Sequence, residues 1–210
     1  MQPPVVSRAS RALLTALLTA RRAASTFHTT MDVFEAIDAR HSYRAGFKAG
    51  PVPRKDLLRI VSAGIKAPSG YNGQSTSFVI VDDPALIRAI ADEMASEIVR
   101  GAPAAIVCVM DPNATRDRKY AFGVEDYSAA AENMLLAITA RGYASVWIDG
   151  VLKEGDLASR VGRILGVPEG LQVRVVLPIG VPLDTWAQKE KKPLCQRAWF
   201  NRHGQEGGAG

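Results

Sequence analysis

The sequence predicts a layered α/β domain, with helices on both faces of a sheet. Segments of helical period alternate with short β-rich runs through most of residues 31–181. Gly, Pro and Asp stand at the junctions between them. A 210-residue chain with 47% hydrophobic and 22% charged residues has the balance of one ordinary globular domain, long enough to bury a core without disulfides or metals. No internal repeat and no linker divides the body.

The elements follow in order. Val33, Phe34 and Ile37 form a helical stripe that ends near Arg40. Pro53 opens a second helix, with Leu57, Leu58, Ile60, Val61 and Ile65 on one side. Ser77–Val81 reads as a buried strand. Asp83-Pro84 reads as N-cap and first residue of a helix carrying Leu86, Ile87, Ile90, Met94 and Ile98. Ala104–Met110 is a second buried strand. Glu125–Arg141 is a long helix, with Gly142 placed to close it in a left-handed conformation. Tyr143–Ile148 is a third strand, Glu154–Leu165 a helix ended by Gly166 and Pro168, and Leu171–Val181 the last strand. The chain then turns polar and basic, and Gly204–Gly210 is too Gly-rich to pack.

The net charge of +5 suggests a nucleic-acid partner, but its position argues otherwise. Of the 26 bases, Arg8, Arg11, Arg21 and Arg22 lie in residues 1–30, which hold no acid, so residues 31–210 carry 22 bases against 21 acids. No Lys/Arg block interleaves with aromatics to track phosphates, so no nucleic-acid partner is expected. The apolar runs are short and broken by Arg or Gly, so no membrane span is expected either. Cys108 sits in an apolar run as a small hydrophobe, no Cys/His cluster suggests zinc, and His28, His41 and His203 are too scattered for a metal set. Ser7–Ala24 could form an amphipathic helix around Leu13, Leu14, Leu17 and Leu18. Residues 1–30 read either as an organelle transit peptide or as a dispensable extension ahead of Met31. The compartment is then an organelle in the first case and the cytoplasm in the second.

Four constellations could carry chemistry. In Arg40-His41-Ser42-Tyr43-Arg44, an extended backbone points Arg40, Ser42 and Arg44 the same way. Forked guanidinium donors and a short hydroxyl suit a phosphate monoester, although a solvated helix end reads alike. Ala67-Pro68-Ser69-Gly70-Tyr71-Asn72-Gly73-Gln74 makes a tight loop whose amides suit a planar ligand with hydrogen-bonding edges; an ordinary helix-to-strand connection is the competing reading. It has neither a Rossmann nor a P-loop fingerprint. Trp147-Ile148-Asp149-Gly150 ends a strand where Gly permits close backbone approach. Lys189-Glu190-Lys191-Lys192-Pro193 is a charge run whose interest lies in its company. Glu125-Asp126 reads as an acid pair in a first helical turn. No nucleophile has a plausible His partner, so any chemistry must come from a bound cofactor.

In this order the segments resemble the nitroreductase family of FMN-dependent oxidoreductases. The match extends through Val124-Glu125-Asp126, Ala129–Leu136, Gly142–Gly150, Leu165-Gly166-Val167-Pro168, Val176–Gly180 and Lys191–Leu194, over roughly residues 31–200. The resemblance implies an α+β fold: a three-layer α/β/α sandwich with a mixed central sheet, built as an intertwined homodimer with FMN at the interface. Residues 31–200 would form the FMN-binding domain, with 1–30 a leader or flexible extension and 201–210 a flexible tail. The phosphate would lie on Arg40, His41, Ser42 and Arg44, with Lys191 and Lys189 from the far end of the chain. Pro68, Ser69, Gly70, Asn72 and Gln74 would line the ring and ribityl, one part coming from the partner subunit. Gly150 would offer its N–H near flavin N5, beside Ile148 and Asp149.

The implied activity is hydride transfer from NADH or NADPH through FMN to a nitroaromatic, quinone or related small-molecule acceptor, with ping-pong kinetics. A reductive dehalogenase, a flavin-consuming enzyme and a non-catalytic flavin-binding protein are alternatives on the same scaffold. The chain departs from the family at Gln74-Ser75-Thr76, where Gln-Pro-Trp is usual, and its short stretch between Met110 and Val124 leaves little room for lid helices. Tyr120 and Phe122 could cover the flavin, or belong to the core.

Overall fold

A computed structural model describes residues 31–115, 117, 119–185 and 187–205. The helix expected in Ser7–Ala24 and residues 206–210 of the tail lie outside the described residues.

The first helix, α1 (Val33–Ala39), starts at a capping box. Asp32 accepts from the Glu35 N–H at 2.9 Å while Glu35 accepts from the Asp32 N–H at 2.8 Å. Helix α2 (Arg54–Ile65) follows Pro53, and strand β1 (Thr76–Val81) follows the loop after it. Helix α3 (Pro84–Met94) is capped as expected, the Asp83 carboxylate accepting from Ala85 N–H at 2.7 Å. It does not run on to Ile98. Ala95 turns left-handed at φ 47°, and a short helix α4 (Glu97–Arg100) restarts after Ser96, which buries Val99. Strand β2 (Ala104–Met110), helix α5 (Gly123–Ala140), strand β3 (Ala144–Ser145), helix α6 (Leu157–Ile164) and strand β4 (Gln172–Gly180) complete the order. Gly142 closes α5 at φ +76°.

The strand order is β1-β2-β4-β3, and every described pairing is antiparallel, where the resemblance implied a mixed sheet. β2 is buried along its whole length, whereas β1 is an edge strand and only partly buried, not the buried strand expected. Along β2 the side chains alternate between two cores. Ala104, Ile106, Cys108 and Met110 meet α2 and α5. Ala105, Val107 and Val109 meet α3 and α6. This makes the three layers. Burial pushes the Cys108 thiol up to about 12, so it acts as the small hydrophobe expected.

The third strand is shorter than Tyr143–Ile148, for an identifiable reason. Ala144 pairs with Gly180 and Ser145 with Ile179, and Ile148 rejoins in the same register opposite Val176. Ile148 and Val176 exchange both backbone bonds, at 3.1 and 2.9 Å. The next such rung toward β3 would set Val146 against Pro178, which has no N–H to give. The ladder opens there.

A buried polar clamp joins α2 to the turn after α5. Asp56 accepts from the Tyr143 hydroxyl at 2.7 Å and from the Arg141 guanidinium. Burial alone would raise the Asp56 carboxyl, but the bonds from Tyr143 and Arg141 and the charges of Arg141 and Lys55 outweigh it, holding it below the usual carboxylate range. Burial and the Asp56 bond push Tyr143 up to about 12. Because the Asp56 value is depressed in the fold, its contribution is fully present above the unfolded carboxylate pKa of about 3.9 and is lost as pH falls through the folded value. Asp56→Ala is expected to cost about 3 kcal/mol and to flatten the acid limb of a Tm-against-pH curve, as read by calorimetry.

The segment after α1 is fixed by Tyr43, which is fully buried beside Phe47, Ala102 and Ala144. Its N–H donates to the Ser145 carbonyl at 2.9 Å, and its hydroxyl donates to Gly46 O at 2.5 Å and accepts from Leu183 N–H at 3.0 Å. One residue thus ties the segment after α1 to β3 and to the exit of β4. No helix among the described residues is long and apolar enough to cross a membrane.

Candidate functional site

Tyr43 points inward, so its neighbours at alternate positions point out. Arg40, His41, Ser42 and Arg44 line one cavity of about 350 Å³ together with Ala187, Gln188, Lys189 and Lys191. Segments some 150 residues apart in sequence meet here. The meeting is fixed by Gln188, whose amide donates to Arg40 O at 2.7 Å, capping the frayed end of α1. Lys189 and Lys191, two residues apart in a non-helical stretch, face the cavity, while Lys192 is not among its lining. Two guanidiniums, two ammoniums and a hydroxyl around one hollow form a donor set for a phosphate dianion. The Arg40 guanidinium is ion-paired to Glu132 of α5 at 3.2 Å. His41 Nδ1 lies 2.9 Å from the Ala39 carbonyl, which can only accept, so that nitrogen carries the hydrogen; its Nε2 is buried without a partner among the described residues.

Arg44 also lines a second hollow, of about 400 Å³, with Val146, Trp147, Ile148, Asp149 and Gly150. This hollow lies where the β3–β4 ladder opens at Pro178. Asp149 is paired to Lys153 at 2.8 Å. Ile148, Asp149 and Gly150 therefore share an arginine with the cationic cavity.

The loop before β1 behaves differently. Pro68, Ser69 and Gln74 line a third hollow, of about 360 Å³, with Asp126 and Ala130 of α5; Gly70 and Asn72 are not among its lining. Among the described residues, no cavity given by one chain holds both Arg40 and this loop; the single hollow expected would need a partner subunit to supply one part. Asp126 is more than a helix-turn acid. It is buried, and accepts from Gly70 N–H at 2.8 Å and from the Ser75 hydroxyl at 2.6 Å. Ser69 Oγ accepts from Gln74 N–H at 3.1 Å. These bonds hold Tyr71, Asn72 and Gln74 at φ 53°, 54° and 47°, the left-handed region that side chains avoid. Strain of this kind persists where surrounding structure over-determines it, which marks ligand-binding loops.

Fold and site together define a class: an α/β/α sandwich whose cationic cavity is built from both ends of the domain. The family model described as the nitroreductase family matches residues 37–100 and 92–181. An Archaeoglobus fulgidus protein whose name assigns it, provisionally, as an NADH dehydrogenase/NAD(P)H nitroreductase is 31% identical over 73% of this chain and 87% of its own. The crystal structure of a nitroreductase family protein from Clostridium novyi matches with TM-score 0.65 and 28% identity, covering 73% of this chain and 87% of that one. The NADPH:FMN oxidoreductase of Vibrio harveyi, solved with NAD+, matches with TM-score 0.70 and 26% identity, covering 82% of this chain and 78% of that one. This chain belongs to the nitroreductase family.

Proposed function

We propose that the protein is an FMN-dependent oxidoreductase that takes electrons from NADH or NADPH and delivers them to a quinone, nitroaromatic or related small acceptor. The observation that carries this reading is the convergence of Arg40, Ser42, Arg44, Lys189 and Lys191 on one cavity, beside a second hollow that shares Arg44. The donor set fits the phosphate of a mononucleotide. When bound, FMN would supply the redox chemistry, taking a hydride from the nicotinamide at N5 and returning two electrons, so that a quinone with two protons leaves as a hydroquinone.

The chain's residues bind and orient. Arg40, Arg44, Lys189 and Lys191 neutralise the phosphate, Ser42 donates one hydrogen bond, and His41 packs beside them. Ile148, Asp149 and Gly150 line the adjoining hollow, where the backbone of Gly150 is open to a ring. Pro68, Ser69, Gly70, Asn72 and Gln74 come from a second copy, since within one chain Pro68, Ser69 and Gln74 line a separate hollow. A homodimer is supported by the apolar side chains left outward: Phe34 on α1 is 73% exposed and Phe200 77%, with Val33, Ile37 and Leu194 also exposed. Donor and acceptor entering one site in turn give ping-pong kinetics. Residues 31–200 make the working domain, flanked by a leader or flexible extension at 1–30 and a tail at 201–210. The compartment proposed is the cytoplasm, or an organelle if residues 1–30 act as a transit peptide.

Purification is the test. The full chain is expected to elute as a dimer, yellow with bound FMN, and to bleach on anaerobic addition of NADH or NADPH. A colourless protein that takes up no added FMN overturns the reading.

A further inference from the structure

A further hollow lies apart from the three described above, and it is larger than any of them. Its volume is about 580 Å³, and its walls are α6, the turn that follows α6 and the start of β4. It shares no lining residue with the other three. Ser159, Arg163, Glu169 and Arg174 give it a polar wall, and Val167 and Leu171 an apolar one.

Arg174 is the unusual member. Cys108 pairs with Val175 and Val109 with Val173, so Arg174 is the extra residue of a β-bulge in β4. Such a bulge takes one side chain out of the regular alternation of the strand and re-aims it. The residue is partly buried, and its guanidinium carbon lies 5.4 Å from the centre of the Tyr127 ring. Among the described residues its hydrogen-bond partner is the Tyr127 hydroxyl, at a long 3.4 Å, and its Nε is buried with no partner. No carboxylate pairs with it there. A cation held in this way costs stability, because its desolvation is not offset by a counter-charge. The second guanidinium of the wall, Arg163, is held only loosely, 3.9 Å from Asp156.

We infer that this hollow is a second binding site, and that its ligand is a small organic monoanion: a carboxylate carried on an apolar body. The counter-charge that Arg174 lacks is what such a ligand brings. Two guanidiniums and the Ser159 hydroxyl supply donors for the carboxylate oxygens. Val167 and Leu171 receive the apolar body. Glu169 limits the charge. Two cations against one carboxylate leave one positive charge to be neutralised, and a dianion meets repulsion from Glu169. The site goes beyond the oxidoreductase reading and does not depend on it, since none of its residues lines the cationic cavity or the hollow at Gly150.

Benzoate is the probe. The full chain, kept in excess FMN so that the cationic cavity is filled, is titrated with benzoate and followed by amide chemical shifts. Shifts are expected over residues 159–174, saturating with a Kd of about 1 mM, the range for so small a ligand. Benzamide, which has the same shape without the charge, should bind about tenfold more weakly, and so should inorganic phosphate. Arg174→Met is expected to weaken benzoate binding about tenfold, to leave FMN affinity unchanged, and to keep or raise Tm, because it removes an uncompensated cation. An arginine retained for the fold would lower Tm instead. Arg163→Gln, at an exposed side chain, should weaken benzoate about threefold, and it decides the question if Arg174→Met does not fold. Shifts that gather elsewhere, benzamide binding as tightly as benzoate, or benzoate affinity unchanged in both variants overturns the inference. A protein that takes up no FMN sinks the oxidoreductase reading alone, because the shifts over 159–174 are read in the same way without flavin.

Discussion

Arg40→Ala is expected to weaken FMN binding about 10- to 100-fold, the loss of one charge-assisted contact to a phosphate in a partly desolvated cavity. The guanidinium stands at the end of α1, held by the ion pair to Glu132, while Gln188 fixes the backbone behind it. Removal has a second effect beyond the missing donor. Glu132 then loses its cationic partner, so its uncompensated charge adds repulsion to the loss. The double variant Arg40→Ala with Glu132→Gln should recover part of the affinity. Arg44→Ala should act in the same range and also disturb the hollow at Trp147–Gly150, which it lines. Lys192→Ala should leave affinity within about twofold, because Lys192 is outside the lining. Fluorescence titration of the apoprotein with FMN measures all of these. Equal affinities for Arg40→Ala and the parent would place the phosphate elsewhere.

Asp126→Ala is expected to destabilise the domain by about 3 kcal/mol, because it strands the Gly70 amide and the Ser75 hydroxyl, each costing about 1–3 kcal/mol when buried without a partner. For a domain of this size that lowers Tm by about 6–10 °C. The loop is hit harder than the whole. Without its anchor, Tyr71, Asn72 and Gln74 can relax more readily out of the left-handed region. Amide exchange over residues 69–75 should therefore accelerate well beyond the global change, and acceptor turnover should fall even where the fold survives. Asp126→Asn keeps one acceptor oxygen and should cost roughly half as much. Exchange rates that rise uniformly across the molecule would mean that Asp126 supports the core and not the loop.

The layers were legible because their signals are local. Asp83-Pro84 marked the start of α3, Gly142 the end of α5, and the unbroken apolar run Ala104–Met110 the central strand. Features that depend on long-range geometry were not. The split after Met94 turns on the backbone of Ala95, a residue with no turn preference of its own. The gap in the third strand depends on Pro178, some thirty residues away and visible only once the register is known. The capping box at Asp32 and Glu35 is a local signal too, standing just ahead of the apolar stripe that marks α1. At the site, the alternation of Arg40, Ser42 and Arg44 followed from period two, and the arrival of Lys189 and Lys191 came only with the resemblance. Asp126 looked like any acid in a first helical turn. Its partners lie 56 and 51 positions back, and no local pattern announces them. Tyr120, which could equally have been core, is turned to solvent.

The missing rung at Pro178 has a bearing on how the molecule behaves in company. β3 is an edge strand, and a continuous edge is a template on which other chains can add their own strands. Here the edge is bonded at Ala144–Ser145 and again at Ile148, but slack between them, so it offers no straight run of free amides to an incoming segment. The same proline that opens the ladder beside the Trp147–Gly150 hollow therefore also guards the protein against sheet-to-sheet aggregation.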